Sequence, residues 1–350
     1  MGYFRENIEK MAGYEPGFQP PNTDVVKLNT NENPYPPSPK VIEAIKNLKP
    51  EQLRRYPQPM ADTFRQAAAE VFGVECENII CVNGGDELLN IAIRAFCDEN
   101  RPVAYPTPTY SLYPVLAQMA NSPAVEIPFD EEFNLPSKLA SGSAALTIVC
   151  NPNAPSGTFV PKEEISQLAE EIKGTPLLID EAYVDFAEDN CLELVKKFDN
   201  VIILRSMSKG YSLAGLRFGY GIADEKLIKG LRKVKDSYNV NVVAIAAATA
   251  AIQDQQYFKN NIQKVKIERK FLTEKLVGLG FHVHPSQANF ILAKPSKVRA
   301  IDIYEKLKDR NIYVRYWAYP DIKDKLRITV GTAEQNKKFI NALKEILAEG

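Results

Sequence analysis

Histidine is scarce in this 350-residue chain, which has only His282 and His284. They alternate in "GFHVHPS" and are expected to project from opposite faces of a strand, which argues against a metal centre or an acid–base pair. Cysteine is limited to Cys76, Cys81, Cys97, Cys150 and Cys191, an odd number with no C-x-x-C pair. Most fall in apolar segments, so buried reduced thiols are expected. Net charge is nearly absent: 43 Lys and Arg stand against 44 Asp and Glu, a formal −1. That leaves no basic footprint for nucleic acid. No apolar run reaches the length of a membrane span; the longest, Val242 to Ile252, is Ala-rich and too short. The first twenty residues carry charges where a signal peptide needs an apolar stretch, and Glu6 spoils the myristoylation pattern that Gly2 would open. The expectation is a soluble cytoplasmic protein, away from membranes, whose chemistry uses lysine, carboxylates, tyrosine or a cofactor.

Strand-like and helix-like segments alternate through the first two thirds of the chain. "NIICVNG" precedes "GDELLNIAIRAFC", "PVAYP" precedes "YSLYPVLAQMAN", and "ALTIVCNPN" precedes "PKEEISQLAEEIK", with "PLLIDEAY" and "VIILRSMS" following. This order predicts an α/β fold: a mainly parallel sheet covered by helices, forming a large domain over residues 51–254. Residues 255–350 read as a smaller α+β domain, with strands in "FHVHPSQANFILAKP", "IYVRYW" and "KLRITVG" and a last helix capped by Thr332. Residues 1–50, dense in Pro and Asn ("PPNTDVVKLNTNENPYPPSP"), are expected to form an extended arm and part of the small domain. Regular structure in the arm is expected only from a helix at Lys40 to Leu48.

Lys209, in "RSMSKGYSLAGLRFGY", follows the apolar run Val201 to Leu204 and so lies near the end of a buried strand, where α/β proteins place chemistry. A lysine there is costly unless its nitrogen has a partner or a task. Asp180 ends the apolar run "LLID", Tyr183 follows three residues later, and Asn153 sits in the Pro/Gly turn of "CNPNAPSG". Gly84 and Gly85 mark a strand-to-helix turn whose free N–H groups favour a phosphate, and Ser206, Ser208 and Arg217 add hydroxyls and a fixed positive charge. Taken singly, each feature is as readily a turn, a cap or a satisfied polar group. Together they meet the needs of pyridoxal 5'-phosphate: an amine to form a Schiff base, a cradle for the phosphate, and a carboxylate to keep the ring nitrogen protonated. The freed lysine amine is then a natural base for proton transfer at the substrate carbon.

The runs "SMSKGYSLAGLRFGY", "DEAYVDF", "NPNAPSG" and "NGGDELL" resemble the fold type I aminotransferases over essentially the whole chain. "LNTNENPYPPSP", "RRYPQP" and "LRITVGT" are similar to the histidinol-phosphate aminotransferase family in particular. The resemblance implies Lys209 as the cofactor's lysine, Asp180 against the pyridine nitrogen, and Asn153 and Tyr183 on the ring hydroxyl. It places Gly85, Asp86, Glu87, Ser206, Ser208 and Arg217 around the phosphate and stacks Tyr110 on the ring. It also implies a homodimer in which Tyr56 reaches the neighbouring site. Arg327 of "LRITVG" would clamp the substrate carboxylate, while Arg315 and the arm's Tyr14 would receive the distal phosphate. This chain departs from the family pattern at Ala154 and Ser156, and at Gly85, which lacks the hydroxyl often found there. The implied substrates are histidinol phosphate and 2-oxoglutarate or glutamate. An aromatic aminotransferase or a threonine-phosphate decarboxylase on the same frame is the nearest alternative, and a non-catalytic module for a phosphorylated ligand the more distant one.

Overall fold

The computed structural model describes residues 2–21, 24–141 and 144–349. Seven strands form one sheet in the spatial order Ile79–Val82, Gly219–Ala223, Val201–Ser206, Leu177–Asp180, Leu146–Cys150, Val103–Thr107, Ala124–Pro128. Gly219–Ala223 runs antiparallel to both neighbours and every other pairing is parallel. Parallel neighbours need long crossovers, and the intervening helices supply them.

The near-continuous apolar character of the central strands follows from burial on both faces. Ile79, Leu177, Ile179, Val201 and Ile203 face one core, walled by helices Asp62–Phe72, Lys162–Glu171 and Val242–Gln253. Their neighbours Ile80, Leu178, Ile202 and Leu204 face the other, walled by Gly85–Phe96, Leu112–Met119 and Glu225–Arg232. One consequence positions the site. The carboxyl ends of five strands, at Val82, Thr107, Cys150, Asp180 and Ser206, lie along one edge of the sheet, where open α/β sheets bind ligands.

A three-stranded antiparallel sheet, Leu326–Thr329, Phe290–Lys294 and His282–Val283, packs with helices Gln255–Gly278, Ala300–Asp309 and Ala333–Ala348 around a third core. The last helix starts as expected: Thr332 Oγ1 accepts from Gln335 N at 3.3 Å and Gln335 Oε1 accepts from Thr332 N at 2.9 Å, a reciprocal cap. All five cysteines are free, and only Cys76 is not buried. Among the described residues no helix is long and apolar enough to cross a membrane.

Three expectations need correction. The arm is not wholly irregular before Lys40: Glu6–Lys10 is a short helix, and Val26–Lys27 pairs in parallel with Ile312–Tyr313, completing an otherwise open strand. The following helix is Pro39–Lys46, capped by Ser38 and ending ahead of the extended residue that precedes Pro50. His282 and His284 do not point apart: residues two apart on a strand share a face, and their rings meet edge-on at 4.9 Å.

Candidate active site

Lys209 lies three residues beyond the end of strand Val201–Ser206. Its amine donates to the Thr30 carbonyl at 3.3 Å and stands 5.6 Å over the Tyr183 ring. Burial, then the Arg327 charge, push its pKa down to about 8; Glu32 and Asp86 oppose this and Arg217 adds to it. The backbone beneath it is gripped from two sides. The Asn33 amide donates to the carbonyls of Lys209 at 3.1 Å and Gly210 at 3.2 Å, while the Asp185 carboxylate accepts the Gly210 N–H. A Cβ on Gly210 would come within 2.1 Å of Asp185 Oδ2, so this contact requires glycine.

Asp180 is 3% exposed and lies beside Cys150 and Leu204 in the sheet register. One oxygen accepts from the Tyr113 hydroxyl at 2.7 Å and the other from Ala182 N at 3.1 Å. Among the described residues no lysine or arginine pairs with it, and burial pushes its pKa up to about 6 despite those bonds. Tyr183 is buried edge-on against Phe290 at 4.9 Å, and its oxygen accepts from the Asn31 amide at 3.0 Å. Burial raises its pKa to about 12, with Arg327 and Asn31 opposing. Asn31 is itself locked to Thr329 and to Asn289. Asn153 is buried in its turn, donating to Pro108 O at 3.1 Å and Ser156 Oγ at 2.9 Å and accepting from Thr109 at 2.8 Å.

The expected cradle is assembled at the neighbouring strand ends. Helix Gly85–Phe96 begins after Gly84, whose φ of +83° suits glycine, and its first N–H groups lack intrahelical acceptors. A Cβ on Gly84 would lie 2.6 Å from Arg217 Nη2, and one on Gly219 would lie 2.8 Å from Gly85 N, so glycine keeps this concavity open. Arg217 donates to Asp86 at 3.1 Å and to Ser208 Oγ at 3.4 Å, Ser206 Oγ accepts from Ser208 N, and the Tyr110 hydroxyl reaches Asp86 at 3.1 Å. Glu87 is placed differently: its carboxylate holds the Asn83 N–H and the Asn239 amide at 2.7 Å, bracing the turn.

Arg327 and Arg315 stand side by side, their backbones joined in an antiparallel bridge with both N–O distances 2.9 Å. Arg327 donates to Asn29 O at 3.2 Å, its Nε is buried without a partner, and burial lowers its pKa. Arg315 reaches the Glu15 carbonyl at 3.5 Å. Neither guanidinium has a carboxylate partner among the described residues. Tyr14 of the arm packs edge-on against Tyr110 at 6.1 Å. Tyr56 is not part of this cluster; it is 80% exposed and stacked on Tyr238 at 4.5 Å.

The arrangement fits pyridoxal phosphate on three observations: an amine with a lowered proton affinity, a buried carboxylate lacking a cation, and an open glycine-lined helix start beside two serines and an arginine. Sequence reasoning missed Tyr113, Asn31, Asn33 and Asp185. Tyr113 shares the apolar face of its helix with Leu116 and Ala117 and so reads as core, although a buried phenol needs a hydrogen-bond partner. The clustered asparagines of "NTNEN" were the available hint for the arm.

The model of aminotransferase class I and II matches residues 23–343. The chain is 50% identical over 347 residues to histidinol-phosphate aminotransferase 1 of Trichormus variabilis, covering 99% of both chains. Its fold is similar to histidinol-phosphate aminotransferase from Sinorhizobium meliloti solved with pyridoxal-5'-phosphate, with a TM-score of 0.90 at 24% identity, covering 100% of this chain and 98% of that one. It is also similar to L-threonine-O-3-phosphate decarboxylase from Porphyromonas gingivalis, with a TM-score of 0.80 at 25% identity, covering 92% and 99%. With its domain model matched nearly end to end and half its residues shared with a full-length relative, the chain belongs to the class I and II aminotransferase family.

Proposed function

We propose that this chain transfers an amino group between L-histidinol phosphate and 2-oxoglutarate, giving imidazole acetol phosphate and L-glutamate in histidine synthesis. Pyridoxal 5'-phosphate would be its cofactor and a homodimer its working form. The observation that carries the reading is a buried lysine at a sheet edge whose charged neighbours are left unpaired: burial and the Arg327 charge push the Lys209 pKa down to about 8, and among the described residues Asp180 has no cationic partner and Arg327 and Arg315 have no carboxylate. The full-length relative at 50% identity, named for this activity, narrows the substrate.

Pyridoxal phosphate, when bound, supplies the aldehyde that takes up the amino group and the ring that withdraws electrons from the reacting carbon. Lys209 would hold it covalently, and the cradle of Gly85, Asp86, Ser206, Ser208 and Arg217 would hold its phosphate. Asp180 would keep the ring nitrogen protonated, with Tyr113 fixing the carboxylate. Tyr183 and Asn153 would face the ring hydroxyl, and Tyr110 would cover the ring. Once released, Lys209 Nζ would take the proton from the amino-bearing substrate carbon and, as the resulting ammonium, give it back to the carbon on the other side of the amino nitrogen. A pKa of about 8 lets the same nitrogen act as base and then as acid near neutral pH.

The two substrates carry different anions, since histidinol phosphate has a phosphate and no α-carboxylate and glutamate has two carboxylates. Arg327 would clamp the carboxylate, and Arg315 with Tyr14 would receive the distal phosphate. Tyr56, exposed on its own chain, would reach the partner's cofactor phosphate.

Two measurements test this. Borohydride should bleach the yellow protein and leave the cofactor on the Lys209 peptide; attachment at another lysine defeats the assignment. In a panel with 2-oxoglutarate, histidinol phosphate should exceed phenylalanine, tyrosine, leucine and threonine phosphate in kcat/KM. Carbon dioxide release from threonine phosphate as the fastest reaction would instead make the chain a decarboxylase.

A further inference from the structure

We propose that Trp317, the one tryptophan of the chain, is a positioning residue that holds Arg315 and Arg327 at a fixed spacing while leaving both charges free for substrate. Its ring centre lies 5.1 Å from Arg315 Cζ and 4.9 Å from Arg327 Cζ. Arg327 Cζ is also 5.1 Å from the Phe290 ring, so two aromatic rings grip its guanidinium. The remaining contacts are neutral: Arg327 donates to a carbonyl of Asn29, and Arg315 to one of Glu15.

The physical argument concerns how two like charges are kept together. The arginine backbones are bridged, so both side chains start from one place, and in a partly desolvated pocket they repel. A carboxylate between them would offset the repulsion but would compete with every substrate anion. An aromatic face attracts both cations through its quadrupole, forms no salt bridge and leaves the N–H edges open. The Nε of Arg327, buried without a hydrogen-bond partner among the described residues, shows that no resident anion competes for this guanidinium. Trp317 would thereby set the geometry in which one site accepts a carboxylate in one half-reaction and a phosphate-bearing substrate in the other. The inference rests on the reading of Arg315 and Arg327 as the anion site.

The test uses the holoenzyme in its aldehyde form. Because Trp317 is the sole indole, its fluorescence should change saturably when 2-oxoglutarate or inorganic phosphate is added, the 2-oxoglutarate response being lost in Arg327→Ala and the phosphate response in Arg315→Ala. In steady state, Trp317→Leu should raise KM for glutamate and 2-oxoglutarate about 10-fold, the size expected for loss of partly desolvated cation–π contacts. Its kcat should fall much less, and Trp317→Phe, which retains a π face, should stay within about 3-fold of the wild-type KM. An unchanged KM in Trp317→Leu, or equal KM losses in the Leu and Phe variants, would overturn the proposal. If Trp317→Leu does not fold, the wild-type titration decides, and a flat response overturns it. An unaltered KM in Arg327→Ala would remove the anion site itself; a raised KM there with a silent Trp317→Leu would remove only the role of Trp317.

Discussion

Replacing Asp180 by Asn should raise the stability of the cofactor-free protein while removing most of its activity. The carboxylate is 3% exposed, has no cationic partner among the described residues, and titrates at about 6 instead of near 3.8. A shift of some two pKa units corresponds to roughly 3 kcal/mol, the free energy by which burial disfavours the charged form. The sign follows from proton counting. Between pH 3.8 and 6 the folded chain binds the proton more tightly than the unfolded one, so this group's contribution falls as pH rises and is fully unfavourable above 6.

Asn removes that charge and can still pair with Tyr113 and Ala182, so cofactor-free Asp180→Asn should gain about 1–3 kcal/mol at pH 8 and little at pH 4. For a chain of this size the gain appears as a rise of a few degrees in Tm, of the order of 2 °C per kcal/mol. With cofactor the order should reverse, because a protonated ring would recover for the wild type what burial of the lone carboxylate costs. The glutamate half-reaction of Asp180→Asn, followed in a single turnover, should slow by roughly 10²–10³, the range for losing one pre-organised electrostatic contact. Calorimetry of the cofactor-free proteins at pH 4 and 8, with stopped-flow absorbance of the loaded ones, makes the comparison. A variant less stable than wild type at pH 8, or one turning over within a few-fold of it, would refute the reasoning.

Arg327→Ala should weaken the glutamate half-reaction by about 2–4 kcal/mol, read as kcat/KM in single turnovers, because an anion loses its charged donor; an unimpaired reaction ends the clamp assignment. Arg315→Ala should penalise histidinol phosphate more than histidinol, and equal losses would exclude a phosphate role. Asn33→Asp, isosteric but unable to donate, sets a carboxylate against the carbonyls of Lys209 and Gly210; it should lower cofactor retention on gel filtration by at least about tenfold, whereas retention equal to wild type would make the contact incidental. His284, buried with neither ring nitrogen hydrogen-bonded among the described residues, has its pKa pushed down to about 4, burial being the largest cause. Since the unfolded chain takes up that proton near pH 6.5 and the folded one does not, stability should fall by about 3 kcal/mol as pH drops from 6.5 to 4. His284→Leu should flatten that limb in denaturant titrations, and parallel curves would dismiss the effect.

The parts of the site legible in the sequence are those made by single segments. Asp180 and Ser206 end apolar strands, and Ser208, Lys209 and the Gly84–Gly85 turn lie within three residues of a strand's end, so predicting the strand predicted their edge of the sheet. The juxtaposition of Arg315 with Arg327 needed one further step, that their segments run side by side, and the bridge between them meets it. Glu87 behaves differently. It stands in the right turn, but in the first turn of a helix its side chain folds back onto Asn83 N, a local hydrogen bond that its place in the motif does not reveal.

The arm escaped because its contacts are set by docking alone. Within five residues, Asn29 accepts from Arg327, Thr30 from Lys209, Asn31 donates to Tyr183, and Asn33 grips the Lys209 backbone. A lysine poised near neutrality needs a wall that removes water without placing an anion against the amine, since a directly paired carboxylate would raise its pKa again. The strand-end loops cannot close that side, because they open onto the edge where substrate must enter. A separate segment must cover it, presenting carbonyls and amides to the amine and keeping the acid it brings near, Glu32, occupied with Lys27 and Thr30. Asn and Thr meet that requirement: they satisfy buried backbone groups while carrying no charge. The composition that makes "NTNEN" resemble an ordinary loop is therefore what suits it to enclose the lysine.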